Sequence, residues 1–498
     1  MNLIPIFSWL NADARYDANY TWVRGTTLAD GTTAGNTITL NRTLAVNTTL
    51  NMEKLYNQIP FLKKTNDRFN KTPSRKPKTA KPKKPKKNDK SDKSDKEEKA
   101  DKAKKELPKN KRSFEKEVTI QADTSIVISH GKKTRRLIVS AKDDKGKTVS
   151  LKWRKVDDNK IKLFNKTDSA IKLKLTVTPK EPLENKGWYK TAQCIARVLM
   201  MVRNISGSYR NQYQMGLPGF MPTVGDAFGQ NRNDGVLTPG LDFAFGLIDD
   251  NYIDKAKERG WLLTNSTAST PATTSRTEDL QLKVTLEPVK NLKIDLMASR
   301  NETTAKRIQY MNAGNPTSQS GNLTMTTISI ASAFEPMGDA TNGYHSSTFK
   351  KFVNSLDTYR ERVEAQYAGA KYPGGGTYDP SLGSVNKYSA DVMIPAFLDA
   401  YTSMGGSGLN LFPKLKSLLP NWTVRYSGLA QLPWFSDIFK SININHSYKS
   451  VYSIGSYQSY STWQEWRDGL GFVTEATSGN LVPSSMYNIP QVTINEAF

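Results

Sequence analysis

The chain has 498 residues, room for about two to four domains, and a formal charge of +24. Hydrophobic residues make up 37% and the mean hydropathy is −0.58. No run of about eighteen apolar residues occurs, which excludes helical membrane spans but not strand spans, whose polar alternate faces dilute the average. The charge is concentrated: the tract from Lys71 to Arg112 holds 19 Lys/Arg and 7 Asp/Glu, so 19 − 7 gives +12, half of the total. That distribution disfavours a nucleic-acid partner and reads instead as a solvated linker. The single cysteine, Cys194, excludes an intrachain disulfide, and the dispersed His130, His345 and His446 disfavour a histidine metal cluster.

From Asp13 to Trp22 apolar and polar residues alternate, with Tyr16, Tyr20 and Trp22 on one face and Asp13, Arg15 and Asp17 on the other. This period of two predicts a strand, and Thr37 to Met52 predicts a second after the turn-rich RGTTLADGTTAGN. The lysine tract has no stripe to bury and is expected to be disordered. Short alternating runs from Glu117 to Thr178 predict a small β-domain. Gly187 to Val202 carries a helical stripe through Trp188, Ala192, Ile195 and Leu199. EDLQLKVTLEPVKNLKIDLMAS predicts a hairpin, Leu280 to Leu286 returning as Leu292 to Ala298. Phe349 to Tyr367 and Lys387 to Met404 change period and predict two helices. The resulting division is barrel strands over 1–65, a disordered insertion over 66–116 and a small β-domain over 117–180. Barrel strands with helical and Gly/Pro-rich loops follow over 181–348, a helical insertion or cap over 349–404, and barrel strands over 405–498.

The longest alternation organises this reading. Ile442, Ile444, His446, Tyr448, Tyr452 and Ile454 share one face, and Asn443, Asn445 and Lys449 share the other; Arg425 lies on the polar face of the strand before it. Ordinary strands average about five or six residues, whereas a tilted membrane-crossing strand needs about 9–11. The expected fold is therefore all-β dominated, part of a very large transmembrane β-barrel with inserted helices. Ile442, Ile444, Tyr448, Tyr452 and Ile454 would face lipid or a partner, and Asn443, Asn445, Lys449 and Arg425 the lumen. No catalytic, cofactor or metal set stands out. Asp249, Asp250 and Asp254 sit where a helix dipole favours acids, Gly374 to Gly376 lacks the context of a dinucleotide site, and Cys194 reads as a core residue.

Several phrases resemble the SprA (Sov) family, the giant outer-membrane translocons of the type IX secretion system. They are LPNWTVRYSGLAQLPWFSDIFKSININHSYKSVYSIGSY (Leu419 to Tyr457), SADVMIPAFLDAYT (Ser389 to Thr402), GFVTEATSGNLVPSSMYNIPQVTINEAF (Gly471 to Phe498), YRNQYQMGLPGFMPTVGDAFGQ (Tyr209 to Gln230), GLDFAFGLIDDNYIDKAKERGWL (Gly240 to Leu262) and LAVNTTLNMEKLYNQIPFLKK (Leu44 to Lys64). Asn66 to Lys180 matches nothing in that pattern. The resemblance implies an outer-membrane, cell-surface channel for folded cargo proteins, with a role in gliding motility. Its implied partners are the rest of the barrel polypeptide, a shuttle barrel, a periplasmic plug protein, the cargo and the lipid bilayer. The chain ends suggest a fragment of such a protein. The alternative reading from the residues is a soluble or surface-exposed β-rich adhesin or binding protein that uses its aromatics on glycans, or else a conventional smaller porin.

Overall fold

The computed structural model describes residues 7–27, 29, 31, 33–70, 113–134, 136–180, 186–226, 228–264, 270–310, 317–336, 338–402, 411–436 and 438–498. The lysine tract, 71–112, and the expectation of disorder there lie outside the described residues. The chain divides into two units, Met1–Asn70 with Ala196–Phe498, and Lys71–Ile195.

In chain order the elements begin with β1 (Leu10–Val23), β2 (Asn36–Asn51), α1 (Met52–Gln58) and α2 (Pro60–Asn70). The Asn51 side chain accepts from Lys54 N–H at 2.9 Å and so turns β2 directly into α1. Asn66–Asn70, which the sequence reading placed in the insertion, thus closes α2. Next come β3 (Phe114–Ile120), β4 (Ser125–Ser129), β5 (Leu137–Asp143), β6 (Thr148–Val149), β7 (Lys152–Lys155), β8 (Lys160–Phe164) and β9 (Ile171–Pro179). They form two sheets, ordered β3-β9-β5-β6 and β4-β8-β7. Alternating Val118 and Ile120, Ile161 and Leu163, and Leu173, Leu175 and Val177 bury against one another between them.

The helix α3 (Gly187–Leu199) then leads to β10 (Val202–Phe220), the short pair β11 (Asn231–Asn233) and β12 (Val236–Thr238), and helices α4 (Leu241–Ala244) and α5 (Tyr252–Glu258). Cys194 on α3 is exposed, contrary to its expected place in a core. The predicted hairpin forms as β13 (Ala272–Leu286) and β14 (Leu292–Ile308), with Leu286 opposite Ile294 and Val284 opposite Leu296. There follow β15 (Ser318–Thr326), α6 (Ile330–Ala333), α7 (Ser347–Gln366), α8 (Ala390–Tyr401), β16 (Asn421–Tyr426), α9 (Pro433–Ser436) and β17 (Ile444–Ser459). The chain closes with β18 (Gln464–Arg467), β19 (Leu470–Thr474), β20 (Leu481–Ser484), β21 (Tyr487–Asn488) and β22 (Val492–Ala497).

The long strands make one ten-stranded sheet in which every pairing is antiparallel. Its register reveals an interrupted strand. β14 pairs β16 through Leu292–Met297 and β15 through Arg300–Arg307, and β17 pairs the same two strands through Ile444–Tyr448 and Val451–Gln458. β15 and β16 therefore fill one row end to end, and the segment 327–420, with α6 to α8, is inserted between the halves of that row.

The fold departs from an all-β transmembrane barrel. Among the described residues strand accounts for 44% and helix for 22%. Among the described residues the ten-stranded sheet has two ends: β1 pairs only β2, β22 pairs only β17, and the remaining sheets are separate. A spanning barrel must close, because edge N–H and C=O groups left unpaired in lipid cost several kcal/mol each. The expected transmembrane wall is thereby corrected, and with it the outer-membrane, cell-surface location that rested on it. Among the described residues no helix is long and apolar enough to cross a membrane.

The aromatic face expected to meet lipid is covered by this chain itself. At one end α4, α5 and Trp261 pack Phe243, Tyr252, Ile253 and Ala256 onto Ile38, Leu40, Met215 and Leu217. At the other, Ile394 and Leu398 of α8 pack on Leu323, Met325, Tyr452 and Ile454. The long alternation arises because insertions of the same chain bury the face.

Candidate functional site

The insertion positions the main cleft. Ser346 accepts from Phe349 N–H at 3.0 Å and starts α7, whose Leu356, Tyr359, Val363 and Tyr367 form the stripe turned inward. The carboxylate of Glu335, accepting from Ser347 and Thr348 at the same helix end, is held down to about 2 by those hydrogen bonds. Phe472 of β19 lies under the stripe, 5.6 Å from Tyr367 and 5.1 Å from Tyr372 between ring centres. The strand pair β18–β19 reverses at Asp468 and Gly469, both left-handed (φ 48° and 80°), which suits a tight two-residue hairpin turn.

Between α7, the start of α8 and the β18–β20 sheet opens a cleft of about 780 Å³. Its aromatic lining is Tyr367, Phe412, Trp463 and Tyr487. Each ring is fixed: Tyr367 donates to Gly471 C=O at 3.1 Å, Trp463 Nε1 to Ser484 C=O at 3.2 Å, and Phe412 packs 5.4 Å from Tyr487. The polar lining is Gln366, Asp391, Glu465, Asp468 and Ser485, with no lysine, arginine or histidine among the described lining residues. Asp391 Oδ2 accepts from Ser485 N–H at 2.6 Å. Burial pushes the Asp391 carboxyl up, and the Ser485 contact only partly offsets it. Burial likewise raises the Tyr367 phenol, and nearby Asp391 adds to the shift. A largely buried carboxyl sharing a cleft with four aromatic side chains is chemically suited to a positively charged group.

Neither Asp391 nor its aromatic ring was legible as a site. Ser485 lies 94 residues further on, and only the packing of the insertion against β20 brings the two together. The residues singled out from the alternation are placed elsewhere. Tyr448, Tyr452 and Ile454 are buried within the chain, Ile444 is 47% exposed at the start of β17, and Ile442 precedes that strand. Tyr448 stacks on Trp422 at 4.2 Å, and its hydroxyl bonds the Glu496 carboxylate. Asn443, Asn445 and Lys449 are exposed on the polar side. Arg425, also exposed, pairs with Asp295 at 3.4 Å.

A second cleft, about 500 Å³, lies mid-sheet where the register sets Tyr213, Arg276 and Thr304 side by side. The 249–251 turn closes it, and Asp250 receives Tyr213 Oη at 3.0 Å and Lys306 Nζ at 2.8 Å. Burial alone would raise the Asp250 carboxyl; the Lys306 ammonium, with the Tyr213 and Thr274 hydroxyls, outweighs it and holds it below the ordinary aspartate value. The other acids are similarly engaged, Glu278 by Asn211 and Glu302 by Arg300. These charges clasp the turn to the sheet. Because the Asp250 value is depressed, its contribution is present above the unfolded carboxyl's pKa and lost as pH falls through the folded one. Lys306→Met should therefore cost about 1–2 kcal/mol near neutrality, discounted for partial exposure, and should flatten the acid limb of a stability–pH curve. Denaturant unfolding at several pH values measures both; an unchanged acid limb would contradict the clasp.

Among the described residues no group of three or more His, Cys, Asp or Glu is placed to hold a metal. No protein-family model matches this chain and no curated protein resembles it significantly, so with its sheet open at both ends among the described residues the resemblance to the type IX translocon family is not sustained, nor is the secretion-channel function that it implied.

Proposed function

We propose that this chain is a β-rich binding protein, without catalysis of its own, whose ligand seats a protonated amine in the cleft between the insertion and the β18–β20 sheet. The observation that carries the reading is the combination there of Asp391, in apolar surroundings, with Tyr367, Phe412, Trp463 and Tyr487 and no lining cation. An amine gains a charge-assisted bond to the carboxylate and cation–π attraction from the rings, worth about 0.5–2 kcal/mol per well-placed ring. Glu465 and Asp468 at the lip add negative potential along the entry. An amino sugar or a lysine side chain presents the required amine on a body with an apolar face.

Asp391→Asn keeps the oxygen that accepts from Ser485 but removes the charge. It should weaken amine binding about tenfold to a hundredfold while the chain still folds. The sign of the pH effect follows from the raised carboxyl. The folded state is favoured below the unfolded aspartate pKa, and that advantage is lost as pH rises through the folded value. Amine binding, which needs the ionised form, strengthens over the same interval. Calorimetric titration with an amino sugar, choline and a lysine peptide at several pH values checks this. Equal affinity of the wild-type chain and Asp391→Asn for every probe would refute the reading.

A further inference from the structure

A second kind of site follows from a buried charge imbalance at the opposite pole of chemistry. Arg197, at the end of α3, and Arg203, at the start of β10, have side chains only 5% and 8% exposed. Among the described residues one carboxylate accompanies them, Glu287, which follows β13; its Oε2 accepts from Arg203 Nε at 3.1 Å. Its other oxygen stands 3.6 Å from Arg197 Nη2, an ion pair but too long for a hydrogen bond. Asn66 of α2 contributes a neutral acceptor, Oδ1, to Arg203 Nη1 at 2.9 Å and to Arg197 Nη1 at 3.4 Å. Among the described residues, two guanidiniums and one carboxylate leave one positive charge uncompensated. Three buried donors, Nε and Nη2 of Arg197 and Nη2 of Arg203, have no hydrogen-bond partner among the described residues.

From this we infer that the Arg197–Arg203 pair is an anion-binding site for a small inorganic anion, chloride or phosphate. Nε and Nη2 form one edge of the guanidinium, the fork that grips two oxygens or a single halide. Water would satisfy the three N–H groups but leave the excess charge buried, whereas an anion answers both deficits. Burial raises the phenol of Tyr56 and Arg203 only partly offsets it, so Tyr56 stays neutral and does not neutralise the pair. The site joins α2, α3 and the ends of β10 and β13, so its occupant ties together segments far apart in sequence.

The lysine-rich composition binds anions diffusely, so the test compares chains that differ only at the site. Thermal unfolding of the full chain is followed while gluconate is replaced by chloride, and separately by phosphate, at constant ionic strength. The midpoint should rise by a few degrees over about a hundredfold increase in chloride or phosphate. Arg197→Gln and Arg203→Lys should abolish or sharply reduce that rise. If either variant fails to fold, crystals of the wild-type chain grown in bromide decide the matter. An anomalous peak within hydrogen-bond reach of Arg197 Nε and Nη2 supports the site, and its absence overturns it. A midpoint indifferent to both anions, or equal slopes in wild type and variants, overturns it as well.

Discussion

Ile454→Arg is expected to cost more than about 4 kcal/mol, whereas Ile444→Arg should cost no more than about 0.5 kcal/mol. The two isoleucines share a face of β17 and differ only in what covers them. Ile454 is 1% exposed, opposite Leu323 on one neighbouring strand and Val492 on the other, beneath Ile394 and Leu398 of α8. A guanidinium there meets no carboxylate in that cluster and cannot reach water without lifting α8 from the sheet. Ile444 pairs with Tyr426 at the open end of the strand, where an arginine extends into solvent. Equilibrium unfolding in urea separates the cases. Similar losses at both positions would mean that the face is not covered by the insertion. A lipid-facing strand would instead penalise both positions according to depth in the bilayer.

The same strand shows what the sequence can and cannot reveal. Alternation over 13–22, 37–52, 280–298 and 442–454 falls on the strands found at 10–23, 36–51, 272–308 and 444–459, because a period of two is a local property of the backbone, although 272–279 reads as a Ser/Thr-rich loop and is strand. Helical stripes locate α7 and α8 for the equivalent reason. Alternation says that a face is covered but not by what, and lipid, a partner or an insertion leave the same pattern. Here the cover comes from α4 and α5 over β2 and β10, and from α8 over β15 and β17, contacts set by tertiary packing. The division of one row between β15 and β16 is equally invisible locally, since each half reads as an ordinary short strand. Sites fare worse. Asp249 and Asp250 read as helix-start acids, yet Asp250 is bound by Lys306, 56 residues away. Arg197 and Arg203 carry no distinguishing signal in the sequence, and the fold buries both beside Glu287.

Phe472→Ala should be the most damaging truncation near the amine cleft, at about 3–5 kcal/mol. The ring is fully buried and touches Tyr367, Tyr372 and Tyr378 at centre distances of 5.6, 5.1 and 5.6 Å. Removing it opens a void that these tyrosines cannot fill without breaking their own bonds. Tyr367 is held by Gly471 C=O, immediately before Phe472, and Tyr378 donates to Gly383 C=O at 3.1 Å. Phe472→Leu keeps much of the volume but loses the aromatic edges, so about 1–2 kcal/mol is expected. The consequence for binding separates core from lip. Phe472→Ala should lower stability and amine affinity together, because Tyr367 loses its support. Trp463→Leu, changing a half-buried ring at the cleft mouth, should lower affinity with little loss of stability. Urea unfolding and calorimetry on the three variants read both quantities. Unaltered amine binding in Trp463→Leu would remove the aromatic wall from the binding reading, even if Phe472 behaved as a core residue should.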